Sequence, residues 1–184
     1  MNEHIILGVD PGTLIMGYAL LKANPVKSEL ITLDVLNLKK LPDQSTKLKN
    51  IFEFISELID QYHPDILAIE EPFLGKSAQS MLKLGRAQGV VMAACIHKGL
   101  EINEYSPRKI KQSVTGNGNA AKEQVSAMLQ RMYPLPSDIR YLDATDALAV
   151  AVCHHLQSRI QFGPKQHFSG WESFLSKNAD RIIK

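Results

Sequence analysis

Four acidic side chains are placed to act together on one charged group: Asp10, Glu70, Asp143 and Asp146. Asp10 follows the apolar run His4 to Val9 and precedes Pro11-Gly12, a strong turn signal. Glu70 ends a second short apolar run, Asp65 to Ile69. Asp143 and Asp146 are three apart in a segment otherwise rich in Ala, Val and Leu, which puts both on one face of a helix. Like charges at that spacing repel, and burying them uncompensated costs on the order of several kcal/mol. A divalent cation removes both objections. Taken singly, each acid has an ordinary explanation. Asp before Pro-Gly forms turns, a Glu at a strand end can be solvated, and Asp143 suits a helix N-terminus. Taken together they match the hard oxygen ligands that phosphodiester hydrolysis with two Mg²⁺ ions requires.

Basic residues cluster elsewhere. Between Tyr105 and Arg131 lie Arg108, Lys109, Lys111, Lys122 and Arg131 against Glu123 alone among the acids. A solvated basic face explains such a cluster, and so do contacts to a nucleic-acid backbone. The Gly/Asn-rich stretch Thr115 to Ala120 reads as a flexible loop that lets a strand approach closely. Phe73, just past Pro72, suits an exposed stacking platform, although burial is the commoner fate of a Phe. Lys76, Lys83 and Arg86 extend the basic face weakly. His154-His155 beside Cys153 suggests a metal cluster, but no third ligand has suitable spacing; a polar helix end is the expectation.

These residues need elements to hold them. The runs His4 to Val9, Ile15 to Leu21 and Leu30 to Leu36 predict a three-strand antiparallel meander. Leu48, Ile51, Phe52, Ile55, Leu58, Ile59 and Tyr62 fall at helical spacing, leaving Lys49, Glu53, Glu57 and Asp60 outward. Asp43 or Ser45 can cap that helix, and Pro64 stops it. A helix followed by the strand before Glu70 implies a crossover, so that strand should run parallel to the first. Ser77 to Lys98 predicts a long helix, with Gly85 and Gly89 suggesting a close contact, across a dimer or onto the domain's own sheet. Glu101 to Tyr105 follows as a fifth strand, with short helices after Pro107 and over Ala121 to Met132. Tyr141 to Leu156 is the last helix, and Gly163-Pro164 sets off a tail, 163–184, with Trp171, Phe174 and Leu175 as anchors.

The 184 residues suit one domain, and 45% apolar with 22% charged residues is a globular composition. A net charge of +2 does not by itself announce a nucleic-acid partner. The start lacks the basic region of a signal peptide, and the longest apolar run, Val90 to Ile96, is too short to span a bilayer. Cys95 and Cys153 stand far apart, as buried reduced thiols do, so a cytoplasmic address without membrane attachment is expected.

In order and spacing the chain resembles the RuvC family of bacterial Holliday-junction resolvases from about residue 4 to 156. The resemblance is carried by Ile-Leu-Gly-Val-Asp10-Pro-Gly-Thr with Gly17-Tyr18, and by Ala-Ile-Glu70-Glu-Pro-Phe73. It continues in Leu-Lys-Leu-Gly85-Arg-Ala-Gln-Gly89, Arg108-Lys-Ile-Lys111-Gln, Gly116-Asn-Gly118-Asn-Ala-Ala-Lys122 and Asp143-Ala-Thr-Asp146-Ala-Leu-Ala. It implies an α/β, ribonuclease H-like fold: a five-stranded mixed sheet, meander plus parallel strands, flanked by helices on both faces. Residues 1–162 would form the nuclease domain. A homodimer would nick opposed strands of a four-way DNA junction symmetrically during recombination and repair, leaving 5′-phosphate ends, beside the branch-migration helicase complex. Asp10, Glu70, Asp143 and Asp146 fall on the family's metal-binding acids, with two Mg²⁺ per site and Mn²⁺ as substitute. Lys111 and Lys122 fall on its basic residues near the cleaved strand, and Phe73 on an aromatic that stacks at the opened junction. Lys76 and Arg108 join them as DNA contacts. Glu71-Pro72 departs from the pattern beside Glu70, and the tail matches nothing in it. The turn Gly8 to Thr13 also resembles the phosphate-binding turn of actin-like ATPases, but this chain has residues for only one of the two lobes they need. A non-catalytic junction-binding module is a second rival, disfavoured because all four acids are present.

Overall fold

The computed structural model describes residues 3–71, 77–135 and 142–162. Phe73, Lys76, Tyr141 and the tail 163–184 lie outside the described residues. The elements are β1 (His4–Asp10), β2 (Ile15–Ala23), β3 (Ser28–Asn37), α1 (Gln44–Tyr62), β4 (Ile66–Glu70), α2 (Ala78–His97), β5 (Glu101–Tyr105), α3 (Pro107–Thr115), α4 (Lys122–Met132) and α5 (Leu142–Phe162). They form the expected five-stranded mixed sheet, in the order β3-β2-β1-β4-β5. The first three strands are an antiparallel meander, and β4 and β5 continue the sheet parallel to β1. The β2–β3 ladder shifts register once, between Leu20 and Leu21.

Strand alternation divides the core between the two faces. Leu7, Val9, Leu67 and Ile69 join Ile51, Ile55, Ala87 and Val91 of α1 and α2 in one buried layer. Ile6, Ala19, Leu21 and Ala68 join Ile110 and Val114 of α3, Val125 and Leu129 of α4, and the inner residues of α5 in the other. Thus the fold is sheet-centred with helices on both faces, and the ends of β1, β4 and β5 open at the same edge.

The α1 helix begins where expected: Asp43 Oδ1 accepts from the Thr46 amide at 2.8 Å. It ends two residues before Pro64, with the capping residue His63 in the left-handed region at φ 48°. Phe52 corrects the expected inward stripe, because it is 41% exposed. One residue turns a helix by about 100°, so Phe52 lies at the flank of the face set by Ile51, Ile55, Leu58 and Ile59. Phe54 packs instead, edge-on to Tyr18 with ring centroids 5.1 Å apart.

Two further expectations change. His154 and His155 are not a helix end: α5 runs on to Phe162, and both side chains are buried. Burial is possible for His154 because the Tyr105 hydroxyl lies 2.8 Å from its Nδ1. The Thr115–Ala120 stretch is a closed turn rather than a loose loop. Thr115 Oγ1 donates to the Lys111 carbonyl at 2.8 Å and accepts from the Asn117 amide at 3.1 Å, and Asn117 Oδ1 accepts from the Asn119 amide at 3.0 Å. Of the two contacts offered for Gly85 and Gly89, packing onto the domain's own sheet is excluded, since a Cβ at either position would meet nothing within 4 Å.

Candidate active site

Glycine on two strands sets the height at which α5 crosses the sheet. A Cβ on Gly17 would overlap the Asp143 carbonyl, and one on Gly8 would overlap the Ala147 carbonyl and come within 2.8 Å of Ala151 Cβ. Backbone therefore presses on backbone, and Ala144, Ala147 and Ala151 keep α5 at that distance. Since Gly17 pairs with Asp10 across the β1–β2 ladder, the first turns of α5 are delivered directly above the end of β1. Asp10 and Glu70 arrive at the same edge because β1 and β4 are parallel neighbours.

The result is a cleft of about 650 Å³ whose walls include Asp10, Glu70 and Asp146 together with Arg108, Lys111 and Lys122. Asp143 is not part of that wall, but its charge is felt by both Asp10 and Lys122. Burial pushes the Asp10 carboxyl up to about 8, and the charges of Asp146, Glu70 and Asp143 add to the rise against the pull of Lys122. Glu70 is raised too, by burial first and then by Asp146, with Lys122 and Lys111 opposing. Burial alone would lower the Lys122 pKa. Its hydrogen bond and charge attraction to Asp146, with help from Asp10 and Asp143, outweigh burial and raise it. Among the described residues, no three His, Cys, Asp or Glu side chains close on one point tightly enough to hold an ion as they stand. The Lys122 ammonium, paired with Asp146, supplies positive charge to the acids in this arrangement. These half-buried like charges, held close at one edge, still call for more positive charge than one lysine brings.

The basic wall is held from behind. Ser113 on α3 takes a hydrogen bond from Gln157 Nε2 at 3.1 Å and lies 3.3 Å from the Cys153 thiol, tying α3 to α5. Arg108 lies over Gly118, where a Cβ would come within 2.8 Å of its Cγ. At the start of α4, Gln124 Oε1 accepts from the Ala121 amide at 2.9 Å, fixing the turn that presents Lys122.

Of the nine residues singled out from sequence, Asp10, Glu70, Asp146, Arg108, Lys111 and Lys122 meet in one cleft, Asp143 stands beside it, and Phe73 and Lys76 fall outside the described residues. Ser106 and Asn119 also line it and were not singled out. The Gly/Asn pattern carried a signal for Asn119; nothing marked Ser106 beyond its place before Pro107. Gln88 and Glu104, hydrogen-bonded beneath Glu70, were missed as well.

Comparison with known proteins shows the family and the fold. The family model described as crossover junction endodeoxyribonuclease RuvC matches residues 6–154. The crossover junction endodeoxyribonuclease RuvC of Cytophaga hutchinsonii is 53% identical over 180 residues, spanning 98% of this chain and 88% of the relative. That of Bacteroides fragilis is 48% identical over 184 residues, spanning 99% and 97%. Among solved structures, T. thermophilus RuvC in complex with Holliday junction substrate superposes with a TM-score of 0.79 at 27% identity, covering 86% of this chain and 96% of that one.

Proposed function

The chain belongs to the RuvC family of crossover junction endodeoxyribonucleases, and from that premise we propose how its own residues resolve a Holliday junction. It is a structure-specific endonuclease that hydrolyses phosphodiesters of four-way DNA junctions in recombination and repair. Nucleases of this family are metal-dependent. Here Asp10, Glu70, Asp143 and Asp146 would hold the metal, as two Mg²⁺ ions per site with Mn²⁺ able to substitute. One observation supports this more than any other: Asp10 and Glu70, from two strands, meet Asp146 of α5 in one cleft whose opposite wall is basic, and burial with the nearby Asp146 charge raises the proton affinity of both. When bound, such ions activate a water and stabilise charge on the leaving 3′ oxygen.

The protein's part is placement. Asp10 and Glu70, fixed on parallel strand ends, define the metal-holding floor, and Asp146 and Asp143 close it from α5. Lys111 and Lys122 face the acids and hold the phosphates of the cleaved strand, with Arg108 beside them. If metal were held by the acids, Lys122, paired here with Asp146, would be available to phosphate. Phe73 and Lys76 keep their proposed roles, base stacking and a phosphate contact, on the segment after Glu71.

Symmetric nicking that leaves 5′-phosphate ends needs two identical sites, and we assign the dimer face to α2. Leu82 and Ile96, 64% and 61% exposed, lie on one line of that helix with exposed Gly85, Gly89 and Ala93. The open space over both glycines supports a close approach by a second copy. Leu82→Arg should then sediment as a monomer, and a variant that stays dimeric would move the interface elsewhere. Residues 1–162 form the nuclease domain in this reading, with 163–184 a tail of no assigned role. The branch-migration helicase complex is the proposed companion and the cytoplasm the proposed location; no helix among the described residues is long and apolar enough to cross a membrane. The deciding experiment is nicking of synthetic four-way junctions with and without Mg²⁺. Symmetric, Mg²⁺-dependent, ligatable nicks are expected, and binding without nicking would leave only a junction-binding module.

A further inference from the structure

Gln88 is one of the few buried polar side chains among the described residues, at 4% exposed. It sits on the inner face of α2, next to Ala87 and Val91, on the side of the sheet opposite the cleft. Its amide nitrogen has two hydrogens, and both are used. One goes to the main-chain carbonyl of Glu70 at 3.3 Å, and the other to Glu104 Oε2 at 3.1 Å. Glu70 and Tyr105 are register partners at the ends of β4 and β5, so Gln88 grips both strands at their ends. The Glu71 amide adds one more bond, to the Tyr105 carbonyl at 2.9 Å.

A buried amide has a reason to be there only if it is satisfied, and a Leu or Met would fill this position without that demand. The two acceptors belong to strand ends rather than to the sheet interior, where a ladder already fixes the backbone. At a terminal residue the ladder stops on one side, and the peptide that carries the side chain can tilt. Tilt at Glu70 would swing its carboxylate across the cleft floor.

We infer that Gln88 is a positioning residue that sets the aim of the Glu70 carboxylate, by clamping the Glu70 carbonyl from behind the sheet. This rests on the reading of Glu70 as a metal ligand. Groups that orient a ligand without touching the ion are commonly worth about 10- to 100-fold in metal affinity. The clamp acts on backbone instead of on the ligand's free oxygen, so the lower end of that range applies, about ten-fold.

The test is Mn²⁺ titration calorimetry on the full chain without DNA, alongside thermal melts in the absence of metal. Gln88→Met keeps the volume and removes both donors. It should weaken Mn²⁺ binding about ten-fold, with junction cleavage slowed at limiting Mn²⁺ and restored at saturating Mn²⁺. A residue serving only packing would shift the melt and leave the Mn²⁺ dependence in place. Gln88→Asn keeps an amide but falls one methylene short of both acceptors, and carries the same expectation if the Met variant does not melt cooperatively. Parent-like Mn²⁺ affinity in whichever variant folds would overturn the clamp. Glu70→Gln separates the two levels: it should lose Mn²⁺ binding outright. If it binds as the parent does, the metal role of Glu70 is wrong and the clamp has nothing to aim. If Glu70→Gln loses binding and the Gln88 variants do not, the clamp alone fails.

Discussion

Where α5 crosses β1 and β2, the acidic side of the cleft rests on backbone pressed against backbone at Gly8 and Gly17. Its basic side rides on α3 and α4, two short helices joined by a polar turn, seated in the core through Ile110, Val114, Val125 and Leu129 and moored further at Ser113 and at Tyr133, whose hydroxyl meets Ser28 Oγ at 2.7 Å. The contrast follows the chemistry asked of each side. Carboxylates that are to hold metal, as proposed for these, must converge within a fraction of an ångström, which only close-packed elements provide. Phosphate contacts work through a long-reaching charge on a flexible stem and tolerate displacement. Rigid acids and adjustable cations are therefore two solutions to two tolerances.

The sharpest way to break the acidic side is Asp146→Asn, which keeps shape and deletes a proposed metal ligand. Junction binding should persist while cleavage falls by more than about a hundred-fold, since even indirect supports of a ligand reach that size. Near-normal cleavage by this variant would remove Asp146 from the site. Gly17→Ala comes next, because its Cβ must displace α5 at the Asp143 carbonyl. Overpacking of this kind costs about 1–3 kcal/mol or more, a melting shift of several degrees. Cleavage should drop further than stability does, and a variant melting with the parent would show that α5 is not held at that height.

With metal withheld, the two sides also differ in their response to pH. Asp10 is raised from 3.8 to about 8 in the fold, so the neutral carboxyl is the favoured form there. Its contribution to stability is complete below about pH 4 and is lost as pH climbs towards 8, with each tenfold change in proton affinity worth at most about 1.4 kcal/mol. The parent should thus melt lower at pH 8 than at pH 5 relative to Asp10→Asn, and Mg²⁺ should cancel the difference. Parallel pH curves for parent and variant would locate the strain elsewhere. On the basic side the effect is smallest: Lys111→Ala should slow cleavage several-fold and flatten the salt dependence of binding by about one unit of slope. Equal slopes would place Lys111 off the DNA path.

Much of this arrangement was legible from residue pattern. Alternation and turn signals gave the meander, helical spacing gave α1, and the crossover rule gave the parallel β4 that puts Glu70 beside Asp10. Contacts across elements were not legible. Nothing local to Gly8 or Gly17 says that a helix some 130 residues later will lie against them. Gln88 reads as one more surface residue until the strand ends appear beneath it. His154-His155 looked like a helix end because polarity suggests solvent, and a Tyr105 hydroxyl from a distant strand reverses that reading. Phe52 has the apolar type of a core residue, but its angular position puts it at the flank of the buried face. In each case a partner far away in the chain decides the environment.

The slip in pairing between Leu20 and Leu21 bears on how copies of the protein meet. A ten-residue border such as β3 offers a straight row of amides and carbonyls on which a second molecule's strand could zip itself. A bulge bends and twists such a row, and the outward charges of Glu29 and Asp34 discourage a neighbour. Asp34 goes further by turning its own carboxylate onto the Val35 amide at 2.8 Å. The border is thereby made unwelcoming to strand-by-strand growth, in keeping with the helical face on α2 proposed for a second copy.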